Sequence, residues 1–126
     1  MKKKLIILCV IIIVVLCGCS LSKNNIVTKS QKIIEEDLSD NISIDYCMYN
    51  SKENMAYLKF YSDRNGNDKA LIKFDDNKIY YESVCSRINK NDYDKIIEYG
   101  DYILVNYQIL NNNNDDWQEI DTGNNK

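Results

Sequence analysis

Few side chains in this sequence can do chemistry, and their types narrow what that chemistry could be. The chain has no histidine, so it lacks the imidazole base of an ordinary serine or cysteine triad and any imidazole metal site. Carboxylates come close together at Asp75 and Asp76, and again at Glu98 and Asp101. A turn and a helix end account for both pairs, and a glycoside-cleaving dyad needs two acids opposed across a cleft. Asp63, Asn65 and Asn67 alternate as the first oxygen ligands of a calcium loop would. Asp68, however, stands where that loop needs its sharp-turn glycine, and Phe74 where it needs a bidentate glutamate. The Asn65-Gly66 pair signals a hairpin instead. No catalytic residue, metal site or cofactor is therefore expected, and the chain is not read as an enzyme. Thiols remain: Cys47 and Cys85 in the body of the chain, and Cys9, Cys17 and Cys19 near its start.

The first residues have a layout of their own. Lys2, Lys3 and Lys4 precede twelve apolar residues, 5–16, and then comes Leu16-Cys17-Gly18-Cys19. As a helix those twelve span about 18 Å, against roughly 30 Å of hydrocarbon, which suits the apolar region of a secretory signal better than a membrane span. The pattern resembles a bacterial lipoprotein signal peptide, covering about one-sixth of the chain. Gly18 and Leu16 match the lipobox, while Cys17 departs from the small or aliphatic residue usual there. The resemblance implies cleavage between Gly18 and Cys19, a thioether-linked diacylglycerol on Cys19, and a protein held at the extracytoplasmic face of the cell membrane. Two acyl chains give the stable anchoring that one does not.

Charge bears on the partners. Losing the first three lysines would take the net charge from −3 to −6. An acidic module argues against nucleic acid, which selects a basic face. The abundance of Asn, Ile and Lys, with no Pro or His, is the mark of AT-rich coding and fits a Gram-positive source. Expected partners are the membrane, through the lipid, and a protein, peptide or envelope ligand. Ten tyrosines are the most unusual feature of the composition. Tyr57, Tyr61, Tyr81 and Tyr102 are candidates for a binding surface on the solvent side of a sheet, since aromatic rings offer flat contact area at low entropic cost. Tyrosine also suits half-buried pleated surfaces and cross-strand pairs.

The elements that would position these groups form one small domain. Residues 1–18 are assigned to the signal, 19–27 to the lipidated cysteine and a polar tether, 28–110 to the domain and 111–126 to a polar tail. Thr28 and Gln31 have capping-box spacing, and Ile33, Ile34 and Leu38 share a stripe, which predicts a helix over 28–38 with Glu35, Glu36 and Asp37 largely outside. At Ile42 the period changes to two. Ile42, Ile44, Tyr46 and Met48 form one face of a first strand; Ala56, Leu58 and Phe60 of a second; Ala70, Ile72 and Phe74 of a third. A fourth strand is expected over 78–88, a short helix over 91–99 ended by Gly100, and a fifth strand over 102–110 from the alternation of Ile103, Val105, Tyr107 and Ile109.

A helix followed by a run of strands points to an α+β domain, the helix packed on an antiparallel sheet of about five strands, with a short helix before the last. A small, partly open β-barrel is the alternative. The tail is expected to be disordered, apart from a loose edge segment at Trp117 and Ile120. Cys47 and Cys85 are a candidate disulfide, being the thiols left in an exported domain once Cys19 is acylated. By function the chain reads as a non-catalytic surface binding module, or as an immunity or exclusion lipoprotein against a bacteriocin or phage component.

Overall fold

In a computed structural model, which describes residues 22–111 and 115–123, a helix α1 (Ser22–Leu38) leads into β1 (Ile42–Asn50), β2 (Met55–Ser62) and β3 (Gly66–Lys73). A short 3-10 turn, Phe74–Asp76, precedes β4 (Lys78–Tyr81). Three helices follow, α2 (Glu82–Cys85), α3 (Tyr93–Glu98) and α4 (Gly100–Leu110), and then β5 (Gln118–Ile120). The signal pattern and Cys19 lie outside the described residues. The five strands form one open sheet in the order β4-β3-β2-β1-β5, and every neighbouring pair is antiparallel. This is the α+β arrangement expected from the sequence, and the sheet does not close into a barrel.

Helix α1 begins at Ser22, so it includes part of the stretch expected to be a tether, and Val27 is buried with Ser30 and Ile34 along one stripe. That stripe packs on the face of the sheet carrying Ile44, Ala56, Leu58, Phe60, Ala70 and Ile72. Ser39, in the left-handed region at φ +51°, ends the helix. The Arg64 guanidinium donates to the carbonyls of Leu38 and Ser39, a cation placed at the negative end of the helix. Asp40 accepts hydrogen bonds from the Ser62 hydroxyl and, at 2.9 Å, from the Arg64 amide. The Asp63–Asn65 turn expected from the Asn-Gly signal thus both closes the β2–β3 hairpin and grips the end of α1. Gly66 supplies the positive φ, +77°, with which β3 starts.

The second face of the sheet is where the expectations fail. Residues 102–110 form helix α4, not a fifth strand. Tyr102, Val105 and Ile109 recur at helical spacing and pack on Met48, Met55, Tyr57, Leu71 and Tyr80, the side of the sheet on which Tyr57 was expected to face solvent. The run satisfies both periods, and the deciding fact lies elsewhere in the chain. A face made of methionine, tyrosine and leucine needs a cover, which a strand at the sheet edge would not provide.

The fourth strand is likewise shorter than expected. It ends at Tyr81, and Glu82–Cys85 turn into α2, where Asp68 accepts from the Ser83 amide at 3.1 Å and the Ser83 hydroxyl at 2.7 Å. The short helix before Gly100 forms over Tyr93–Glu98, and Asp92 caps it by accepting from the Lys95 amide at 3.2 Å. The fifth strand comes from the tail instead: Gln118–Ile120 pairs with Cys47–Tyr49 of β1, and Trp117 and Ile120 are buried. This is the edge segment expected at Trp117 and Ile120, and it is firmer than a loose one because both apolar residues find places in the two cores.

Candidate functional site

A β-bulge decides which β1 side chains reach which layer. Ile44 opposes Phe60 and Tyr46 opposes Lys59, which leaves Asp45 as an extra residue. Beyond it the alternation inverts: Cys47 joins the α1 side with Ile42 and Ile44, while Tyr46 and Met48 turn to the α4 side. The expected grouping of Ile42, Ile44, Tyr46 and Met48 on one face is therefore split.

The bulge also separates the two cysteines. Cys47 is fully buried on the α1 side, whereas Cys85, after β4, packs against the α4-side core. Cys47 lies on β1 and Cys85 in the helix directly after β4, and β2 and β3 lie between β1 and β4; three spacings of about 4.8 Å separate those strands by roughly 14 Å, about twice the Cα reach of a disulfide. Both are free thiols, and the expected bridge does not form. Burial pushes the Cys47 thiol up to about 12. Burial, with the Glu82 and Asp68 carboxylates adding to it, pushes Cys85 up to about 11. Neither is a ready nucleophile at neutral pH.

The four tyrosines named as a binding surface do not form one. Tyr57 and Tyr102 are buried and stack on each other, ring centroids 6.3 Å apart. The Tyr57 hydroxyl donates to the Asn106 side chain at 2.7 Å, and burial pushes its own pKa up to about 12. Tyr81 points to the opposite layer, where its ring meets Phe60 edge-on and its hydroxyl donates to Asp37 at 2.7 Å. Tyr61 alone of the four is exposed. It shares a face with Tyr57, but four residues, about 13 Å, further along β2. Tyr57, Tyr81 and Tyr102 are thus packing residues between sheet and helices. The carboxylate pairs are taken up similarly: Asp75 accepts from Asn54 at 2.8 Å, Asp76 and Asp101 both pair with Lys73, and Glu98 pairs with Lys95.

The concave site lies elsewhere, among residues the sequence did not single out. Between α4, the β1–β2 turn and the segment entering β5 there is a cleft of about 450 Å³, within the usual range for ligand sites. Buried Met55, Val105 and Trp117 give it an apolar floor and exposed Leu104 part of a wall, and Glu53, Asp101, Asp115 and Asp116 bring carboxylates to its rim, with Lys73 among them. Lys73 is held 2.6 Å from Asp101 and 3.2 Å from Asp76, and these bonds raise its pKa. Lys52 offsets Asp116 at 3.1 Å. Glu53 and Asp115 carry no ion pair among the described residues. The turn is firm: Asn50, itself buried, accepts from the Glu53 amide at 3.1 Å, and Asn54, at φ +51°, takes a 2.9 Å bond from the Tyr49 hydroxyl. A second hollow of about 410 Å³, beside Lys59 and Phe60, is more open and mixed in charge.

The cleft could take a cationic group carried on an apolar body, the carboxylates meeting the charge and Trp117 with Leu104 the rest. One signal for it was present in the sequence, the chain's single tryptophan directly after Asp115-Asp116. Among the described residues no helix is long and apolar enough to cross a membrane. Compared with known proteins, the chain matches no family model, no curated protein and no solved structure.

Proposed function

We propose that this protein is a small surface lipoprotein, anchored to the outer face of the cell membrane through lipid on Cys19, that works as a non-catalytic binding module. The ligand is a cationic, partly apolar segment of a peptide, protein or envelope component. The observation that carries this reading is the cleft beside Trp117, acidic at its rim and apolar at its floor. The lipobox resemblance of Leu16-Cys17-Gly18-Cys19 supports the anchoring half.

Each half has its own test. Cys19→Ala should abolish acyl labelling and release the chain from the membrane fraction, while Cys17→Ala should leave both unchanged; retained labelling in the first variant would refute the anchor. For the cleft, Trp117 is the reporter, being the only tryptophan. Its emission should shift on titration with a lysine- and leucine-containing peptide, and Glu53→Lys with Asp115→Lys should weaken that response about tenfold. An unchanged affinity would exclude the cleft.

A second reading, immunity or exclusion against a bacteriocin or phage component, draws on the same carboxylate rim, since many membrane-active toxins are cationic. Loss of toxin resistance in the Glu53→Lys, Asp115→Lys variant, with the anchor intact, is its expected sign.

A further inference from the structure

Helix α4 is apolar on both sides. Its inner stripe, Tyr102, Val105 and Ile109, seats on the sheet, and no residue from 102 to 110 carries a charge. Its outer stripe, Ile103, Leu104, Tyr107 and Leu110, falls at i, i+1, i+4 and i+7 and is 46–62 % exposed. Tyr93 and Ile97 of the adjoining α3 are more open still, at 73 % and 78 %. A surface helix normally keeps its outer face polar, and one that is apolar all round is normally buried. A covered aromatic side chain accounts for about 150–250 Å², so these six residues present on the order of 700 Å². That exceeds what a monomer usually leaves bare and approaches the roughly 800 Å² per partner of a stable interface.

We infer that the outer face of α3 and α4 is covered by the same face of a second copy, forming a two-fold dimer through α4. The exposed area favours this occupant, and charge at the stripe permits it. The chain is net negative, so two copies repel wherever their ordinary surfaces meet, and this uncharged stripe is where they can approach without opposing like charges. Of the carboxylates beside it, Asp101 is paired with Lys73, which Asp76 shares, and Glu98 with Lys95, while Asp94 of α3 has no ion pair among the described residues. A lipid surface is a poorer match, because helices that lie in the headgroup region carry flanking Lys or Arg, and the one basic side chain of α3 and α4, Lys95, is held in that ion pair. A two-fold contact is self-complementary: a residue near the axis meets its own copy. Leu104 lies both on the stripe and in the wall of the cleft, so the partner's α4 would stand beside the ligand site and each dimer would carry two clefts. This inference rests on the surface of α3 and α4 and does not depend on the lipid anchor.

The test is self-cross-linking of the full chain in cells. Tyr107→Cys should give a disulfide-linked dimer on mild oxidation, and adding Ile103→Glu should reduce its yield about tenfold. Tyr61→Cys, exposed but far from α4, should give none. Cys47 and Cys85 add little background, since both are poor thiolates, and the Tyr61→Cys control reports any cross-linking through Cys9, Cys17 or Cys19. Circular dichroism of the Ile103→Glu variant checks that the fold persists. Absence of a Tyr107→Cys dimer overturns the inference. So does an introduced thiol that never cross-links yet becomes shielded from a polar maleimide when phosphatidylcholine vesicles are added, which would make the membrane the occupant.

Discussion

The Lys73 ammonium lies 2.6 Å from the Asp101 carboxylate and joins the last residue of β3 to the first turn of α4. Asp101 is also well placed by sign, a negative charge at the N-terminal end of a helix. This contact and the Tyr57–Asn106 hydrogen bond are the polar ties that fix α4 on the sheet, and α4 forms one wall of the cleft.

Lys73→Met is expected to cost about 0.5–1 kcal/mol, the modest worth of an ion pair whose carboxylate is half exposed. A double-mutant cycle with Asp101→Asn should recover most of that as coupling. The bonds from Asp101 and Asp76 raise the lysine pKa in the fold. Its contribution is thus fully present below the unfolded lysine value, near 10.4, and is lost as pH rises through the higher folded value. Urea melts from pH 8 to 11 check this; a pH dependence unchanged in Lys73→Met would be the contrary result.

Acid should act at the other end of the molecule. The Ser62 hydroxyl, then the Arg64 amide, and more weakly the Arg64 charge hold the Asp40 carboxyl below its ordinary value. A lowered carboxylate pKa gives stability that is present above the unfolded value and lost as pH falls through the folded one. Asp40→Asn should therefore melt earlier than the parent at pH 6, with the difference shrinking at pH 3. Thermal melts at the two pH values decide it.

Tyr57→Phe removes the donor to Asn106 and leaves a partly buried amide oxygen without its partner, at a cost of about 1–2 kcal/mol. The phenol's pKa, pushed up to about 12 by burial, gives the parent a second signature. The unfolded chain ionises first, so this stability falls as pH rises from about 10 toward 12, and Tyr57→Phe should lack that component. Ultraviolet titration of the tyrosines alongside chemical denaturation measures both effects.

The two body thiols should both be alkylatable, with no mass loss of two hydrogens under non-reducing conditions. In the folded chain Cys85 should react slowly and Cys47 hardly at all, because Cys47 is fully buried and its thiolate is the more strongly disfavoured. Denaturant should bring the two rates together. Mass spectrometry after timed alkylation gives the answer, and a Cys47–Cys85 bridge would contradict the strand order.

The α1 helix and strands β1 to β3 were legible in the sequence because each has one period only. Residues 28–38 place apolar side chains at helical spacing with acids between, and Ala56, Leu58 and Phe60, like Ala70 and Ile72, recur every second residue, with Asn65-Gly66 marking the hairpin. Residues 102–110 have no such exclusivity. Ile103, Val105, Tyr107 and Ile109 satisfy a period of two, and Tyr102, Val105 and Ile109 satisfy a helical one, so local pattern could not choose. Tertiary structure chose through the far side of the sheet, where Met48, Tyr57, Leu71 and Tyr80 leave water only if a helix covers them. The same cover buried two of the tyrosines read as a surface. The Asp45 bulge could not be read locally either. Where both faces of a strand are apolar, an inserted residue leaves no trace in the hydrophobic pattern, yet it sent Cys47 to one layer and Met48 to the other. The cleft is the furthest from legible, since Glu53, Asp101 and Trp117 come from three distant segments. They meet because β5 adds beside β1 while α4 crosses the sheet, and it takes both long-range contacts to place a tryptophan floor under a carboxylate rim.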